Sequence, residues 1–162
     1  MRTLGVALLA LALAAPAAAG LPAHGVLVPG RSLGGVRLGV PATVVLKRWG
    51  RSFGICRGCA EPTWYYNFTP FKPQGAGVSL GGGKVDAVFT LWSPTGWRTA
   101  RGLTLGDPAA RVTETYGALA RTDCPGYYAL TLPAAGATTV FYVSGETLWG
   151  FGLIRPGAQP CR

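Results

Sequence analysis

The feature that most constrains this chain is a phrase written twice. Residues 35–50 read GVRLGVPATVVLKRWG and residues 102–117 read GLTLGDPAARVTETYG, an offset of 67 positions. Seven of the sixteen aligned positions are identical: Gly35/Gly102, Leu38/Leu105, Gly39/Gly106, Pro41/Pro108, Ala42/Ala109, Val45/Val112 and Gly50/Gly117. The pair Trp49/Tyr116 keeps an aromatic ring. In each copy a glycine hinge is followed by a proline suited to the first helical position. Apolar residues then recur at i, i+4 and i+8 (Pro41, Val45, Trp49; Pro108, Val112, Tyr116), one stripe of an amphipathic helix. Gly50 and Gly117 predict left-handed stops. Asp107 predicts an N-cap, whereas Val40 in the first copy forgoes a cap of about 1 kcal/mol. Helices of about nine or ten residues are too short to stand alone, so each must lie on a flat apolar surface.

That surface follows each helix. Thr63–Thr69 (TWYYNFT), Gly77–Leu80 and Val85–Trp92 in the first half, and Tyr127–Leu132, Thr138–Val143 and Thr147–Leu153 in the second, are short and rich in β-branched or aromatic residues. Gly and Pro bound them, so each reads as a strand. The expected fold is therefore α+β. Two tandem helix-plus-meander repeats, 35–100 and 101–162, form one antiparallel sheet with the short helices on one face. An irregular arm, 20–34, precedes them and carries a short extended piece at Val26–Val28. Alternation puts Trp64, Tyr66 and Phe68 on one face of their strand and Tyr65 and Asn67 on the other. It likewise groups Val85, Ala87, Phe89 and Leu91 against Asp86, Val88, Thr90 and Trp92.

Residues 1–19 carry Arg2, an apolar run from Leu4 to Ala15 and the small residues Ala17-Ala18-Ala19. They read as a signal peptide, too short to span a bilayer. The expected product is secreted or held at the exterior of the cell envelope, with no lipid-anchoring cysteine near the cleavage site. Without Arg2, 14 basic and 6 acidic residues leave a formal charge of +8. The charge suits an acidic partner protein or an anionic cell-envelope polymer. It is scattered rather than clustered on one face, which argues against nucleic acid.

Four cysteines in a short exported chain read as two disulfides. Three connectivities are open; the repeat favours local pairing, Cys56–Cys59 and Cys124–Cys161. The Cys56-Arg57-Gly58-Cys59 spacing also fits a thiol-redox pair, with Arg57 near a thiolate. Redox CxxC motifs open a helix after a strand, however, and this one follows a helix. A four-cysteine zinc site lacks its second CxxC, and no metal or other cofactor is expected.

Catalytic sets are equally poorly supplied. His24, the only histidine, lies in the arm, and nothing in the spacing of the six acids brings two carboxylates to one cleft. Gly81-Gly82-Gly83-Lys84 lacks the spacing and the following helix of a phosphate loop. A non-enzymatic role is expected. The candidate partner-binding residues are the aromatics Trp64, Tyr65, Tyr66, Trp92, Trp97, Tyr142 and Trp149, on the sheet or in the SPTGW turn at 93–97.

The phrase G-x-x-L-G, a short helix ending in aromatic-Gly and three following strands resembles the tandem-repeat fold of the β-lactamase inhibitory proteins. It is also similar to the related small outer-membrane-assembly lipoproteins. The resemblance implies helices packed on a β-meander and a sheet face or loops that bind a partner protein, such as an exported hydrolase to be inhibited. The inhibitory proteins use an acidic loop residue for that purpose, and no residue here is assigned the role.

Overall fold

The computed structural model describes residues 20–66 and 75–162. The expected signal peptide, and Asn67, Phe68 and Thr69 of the first strand segment, lie outside the described residues. The fold is α+β. In chain order the elements are β1 (Val26–Val28), β2 (Ser32–Leu33), α1 (Ala42–Trp49), β3 (Gly54–Cys56), β4 (Thr63–Tyr66), β5 (Gly75–Gly81) and β6 (Lys84–Leu91). There follow β7 (Arg98–Thr99), α2 (Ala109–Tyr116), β8 (Ala120–Cys124), β9 (Tyr127–Pro133), β10 (Thr138–Ser144) and β11 (Thr147–Ile154). Eight strands form one antiparallel sheet in the order β3-β4-β5-β6-β11-β10-β9-β8. Two meanders meet where β11 pairs with β6. A small sheet, β2-β1-β7, contains the one parallel pairing between described strands, β1 with β7.

The sheet is wider than the sequence suggested. The edge strands β3 and β8 come from segments that carry no alternating apolar pattern; β3 has the burial pattern of a surface element, with Ile55 58% exposed. The short segment between the two halves contributes a further strand, β7.

Both copies of the repeated phrase dock by matching hydrogen bonds. The Gly39 N–H donates to the Val85 carbonyl (2.7 Å), the Val85 N–H to the Val40 carbonyl (2.9 Å) and the Ala42 N–H to the Gly83 carbonyl (3.0 Å). In the second half Gly106 donates to Leu148 (2.9 Å), Leu148 to Asp107 (2.8 Å) and Ala109 to Glu146 (2.9 Å). Each hinge is thus clamped to the last hairpin of the meander that follows it. Gly39 and Gly106 have φ of 75° and 93°, the left-handed region that side chains disfavour.

Three helix expectations need correction. Pro41 and Pro108 are N-cap residues rather than the first helical ones, and both are exposed, outside the buried stripe. Asp107 does not cap α2, because it sits one position too early. Its carboxylate accepts from the Thr104 N–H (2.8 Å) and pairs with Arg111 (2.8 Å), closing the turn that leads into the helix. Gly50 and Gly117 have φ of 82° and 84° but ψ of −167° and −166°, so they are extended mirror-image stops that only glycine readily adopts, not left-handed helical caps.

The helices cover one face of the sheet. Val45 and Trp49 of α1 and Ala109 and Val112 of α2 join Val78, Val88, Phe141, Phe151 and Leu153 in the main core. Trp49 lies between Tyr66 and Trp97, with ring centroids 5.4 and 5.3 Å away. Its indole N–H donates to the Gly34 carbonyl (2.9 Å), and that of Trp97 to the Pro22 carbonyl (2.8 Å), so neither buried ring leaves its donor unpaired. The arm before residue 35 is consequently pinned to the core.

The opposite face carries a second cluster: Ala87, Phe89, Leu91, Ala129, Val140, Tyr142 and Ile154. A β-bulge decides which residues reach it. Ser79 pairs with Ala87 and Leu80 with Val85, leaving Asp86 as the extra residue. The bulge shifts the alternation, so Val85 joins Val88 on the helix side instead of sharing the face of Phe89, as simple alternation predicted. A matching shift between Tyr142/Gly150 and Val143/Leu148 leaves Trp149 as the extra residue of β11.

Candidate functional site

The site lies on the face that no helix covers. Strand β5 (GAGVSLG) turns Ala76, Val78 and Leu80 toward the main core and only Gly75, Gly77, Ser79 and Gly81 the other way. That leaves room for the neighbouring strand's side chain. A Cβ on Gly77 would collide with the Phe89 ring, which lies across it. Tyr65 of β4 meets Phe89 edge-on at 5.8 Å.

A C-terminal segment, residues 155–162, closes part of this face. The Arg155 guanidinium reaches Glu61 (3.1 Å) and Asp86 (3.3 Å), and the Arg155 N–H donates to the Asp86 carbonyl (3.2 Å). The bulge at Asp86 therefore serves as the segment's first anchor. Farther on, Cys161 is bonded to Cys124 at the end of the edge strand β8. Arg162 follows. Its guanidinium carbon stands 5.3 Å from the Phe89 ring centroid, and its Nη1 donates to the Ser79 hydroxyl (3.2 Å). The Tyr127 hydroxyl donates to the Arg162 carbonyl (2.9 Å) and accepts from the Arg162 N–H.

Between this segment, the Cys59–Glu61 turn and strands β4 to β6 is a cavity of about 450 Å³. Tyr65, Phe89, Ser79, Asp86, Arg155 and Arg162 give it its chemical character. Arg155 is matched by its two carboxylates; no carboxylate among the described residues pairs with Arg162. Burial pushes the Tyr65 phenol up, partly offset by the Arg162 charge. Tyr142 is shifted the same way by full burial, again opposed by Arg162, and its hydroxyl has no hydrogen-bond partner although that guanidinium is near. Both phenols stay neutral donors at physiological pH. The cavity thus offers an aromatic floor, one cation with no carboxylate bonded to it and several hydroxyls.

The sequence-derived candidates divide sharply. Tyr65 lines the cavity, and Trp149 lies half-buried beside Tyr127 at 5.3 Å on the same face. Trp92 is 56% exposed at the end of β6, and its N–H donates to the Trp149 carbonyl (2.8 Å). Its φ is 67°, a region a bulky aromatic rarely occupies. Trp64 is half-buried on the helix side, stacked on Phe53 at 4.2 Å. Tyr66, Trp97 and Tyr142 are no more than 2% exposed and cannot be surface contacts. Trp97 in particular was expected in an exposed turn; the arm folds over it instead, leaving Gly25 no space for a side chain against its ring.

The cysteines form the two local disulfides, Cys56–Cys59 and Cys124–Cys161. Two disulfides indicate an oxidising, extracellular environment. Among the described residues no helix is long and apolar enough to cross a membrane, and no three His, Cys, Asp or Glu side chains are grouped as metal ligands would be. Arg155 and Arg162 were missed as site residues, as was Phe89. The only sequence signals were the small-residue alternation of GAGVSLG and the cysteine next to Arg162, which fixes where that arginine is held. The chain matches no protein-family model, no curated protein and no solved structure.

Proposed function

We propose that the chain is an exported, non-enzymatic binding protein that recognises an acidic partner protein through the sheet face opposite its helices. The observation that carries the reading is the presence on that face of Tyr65 and Trp149 with an Arg162 that has no carboxylate partner among the described residues, and of exposed Trp92 bonded through its backbone to Trp149. Tyr, Trp and Arg dominate binding hot spots because they bury much surface while keeping a polar handle. Trp92 adds a second support. A left-handed backbone at a bulky residue costs on the order of 1–3 kcal/mol, and such strain clusters at sites of recognition. The resemblance of the repeated phrase to the β-lactamase inhibitory proteins extends the reading to an exported hydrolase as the partner to be inhibited.

The test is affinity capture on immobilised residues 20–162 with disulfides intact, washed at high salt. One exported protein is expected to be retained, and Trp92→Ala and Tyr65→Ala to release it. No enrichment over a control protein of equal positive charge refutes the proposal.

A second reading, binding to an anionic cell-envelope polymer, is favoured by Arg37, Lys47, Arg48 and Arg51. Arg37 precedes α1, and Lys47, Arg48 and Arg51 lie at or just after its end; all four are exposed and outside the ion pairs among the described residues. Binding of that kind collapses as salt screens the charges, which separates it from the first.

A further inference from the structure

We infer that the cavity beneath the C-terminal segment is a carboxylate-binding site, in which the Arg162 guanidinium pairs with a carboxylate carried on a small apolar body. The inference deepens the reading above, on which it rests for treating this face as a recognition surface, by naming the chemistry of one contact.

The charges around the cavity decide the sign of the ligand. Glu61 and Asp86 are both engaged by Arg155, at 3.1 and 3.3 Å, so neither is free for a cationic ligand. Arg162, which is exposed to solvent, meets the Ser79 hydroxyl and the Phe89 ring face and lies near the Tyr142 phenol, and none of these carries a negative charge. Its planar guanidinium holds several donors, more than Ser79 can satisfy, in the geometry that matches a carboxylate. The four charged walls, Glu61, Asp86, Arg155 and Arg162, sum to zero, so the cavity disfavours a dianion such as phosphate, and a single negative charge finds its partner locally at Arg162.

The walls decide the rest of the ligand. Tyr65, Phe89, Ala87, Ala60 and Ala158 give an apolar lining, and about 450 Å³ lies at the lower end of small-ligand sites. An aromatic or branched aliphatic acid meets both requirements. The same chemistry has two sources, a free small acid or an aspartate or glutamate side chain of the partner.

The experiment titrates phenylacetate into the oxidised residues 20–162 protein and follows the Tyr65 and Phe89 ring resonances by NMR. Saturable shifts are expected, at least tenfold weaker for neutral phenylacetamide, which needs no variant, and for Arg162→Gln. Arg111→Gln, away from the cavity, should bind as the parent does, and inorganic phosphate should bind more weakly than phenylacetate. A blocked tetrapeptide with one aspartate distinguishes the sources. If it competes, a partner side chain can enter; if it does not while phenylacetate binds, the site takes a free acid. Equal binding of acid and amide, undiminished binding by Arg162→Gln in a protein with the parent's melting temperature, or tighter binding of phosphate overturns the inference. Retention of a captured partner by Arg162→Gln at full strength also overturns the deepened claim while leaving the partner-binding function standing. Failure to capture any partner, with phenylacetate still bound, has the opposite consequence.

Discussion

Replacing Cys124 and Cys161 together by serine should cost far more stability than replacing Cys56 and Cys59. The two bridges differ chiefly in the loops they close, with sequence separations of 37 and 3. Loop-closure entropy in the unfolded chain gives about 4 kcal/mol for the longer loop and about 2 kcal/mol for the shorter. Against a total of about 5–15 kcal/mol for a domain of this kind, the first loss is severe. It should also be local before it is global. Without the bridge the C-terminal segment is held by Arg155, whose exposed ion pairs contribute about 0–1 kcal/mol each, and by Arg162 and Tyr127. Phe89 and Tyr142, 1% and 0% exposed, would then lose much of their cover. Urea unfolding followed by tryptophan fluorescence measures the global loss, and amide exchange over 155–162 measures the local one. A cost below about 1 kcal/mol, or one equal to that of the Cys56/Cys59 variant, would refute the loop-closure reasoning. Unchanged exchange in the segment would refute its role as a cover.

Gly77→Ala forces a methyl into the Phe89 ring at a tightly packed position and should cost about 1–3 kcal/mol, read from the urea midpoint; Phe89→Ala in the same background should recover part of it. Trp97→Ala removes a fully buried ring and its bond to Pro22, costing about 3–5 kcal/mol, and amide exchange in the arm should rise with it. Burial holds the Tyr66 phenol at about 12 against an ordinary 10.0. Its neutral form, donating to the Gly50 carbonyl (3.1 Å), belongs to the folded state. That contribution is complete below the unfolded value of 10.0 and is lost as pH rises through about 12. Tyr66→Phe should therefore lose stability less steeply over that interval than the parent, and parallel alkaline unfolding curves would refute the assignment.

The α+β class, the positions of both helices and the antiparallel pairing were legible because each is written in local pattern. Val45 and Trp49 fall four residues apart, Tyr65 alternates with Trp64 and Tyr66, and Gly and Pro punctuate the turns. The edge strands were not legible. Residues 54–56 and 120–124 gain their strand conformation from hydrogen bonds to β4 and β9, and carry no apolar period of their own. Trp97 was misread because composition cannot distinguish a tryptophan at an exposed turn from one under a chain segment that arrives from far away, here Pro22, 75 residues earlier.

The candidate site was obscured by two features that periodicity cannot encode. One is parity. A single extra residue at Asp86 moves Val85 to the opposite face, and only the pairing partner on β5 reveals the insertion. The other is distance along the chain. Arg162 acquires its place because a disulfide spans 37 residues to β8, and its neighbours Ser79 and Phe89 precede it by 83 and 73 positions. No window of sequence contains those relations. The repeated phrase, by contrast, is closed within each half by bonds from Gly39 to Val85 and from Gly106 to Leu148. The two halves should therefore differ in function where their partners differ rather than where their clamps agree. Asp86 and Trp149, the extra residues of two corresponding bulges, mark that divergence. One anchors Arg155 beside a cavity, while the other sets a half-buried indole against Tyr127, its carbonyl held by the N–H of exposed Trp92.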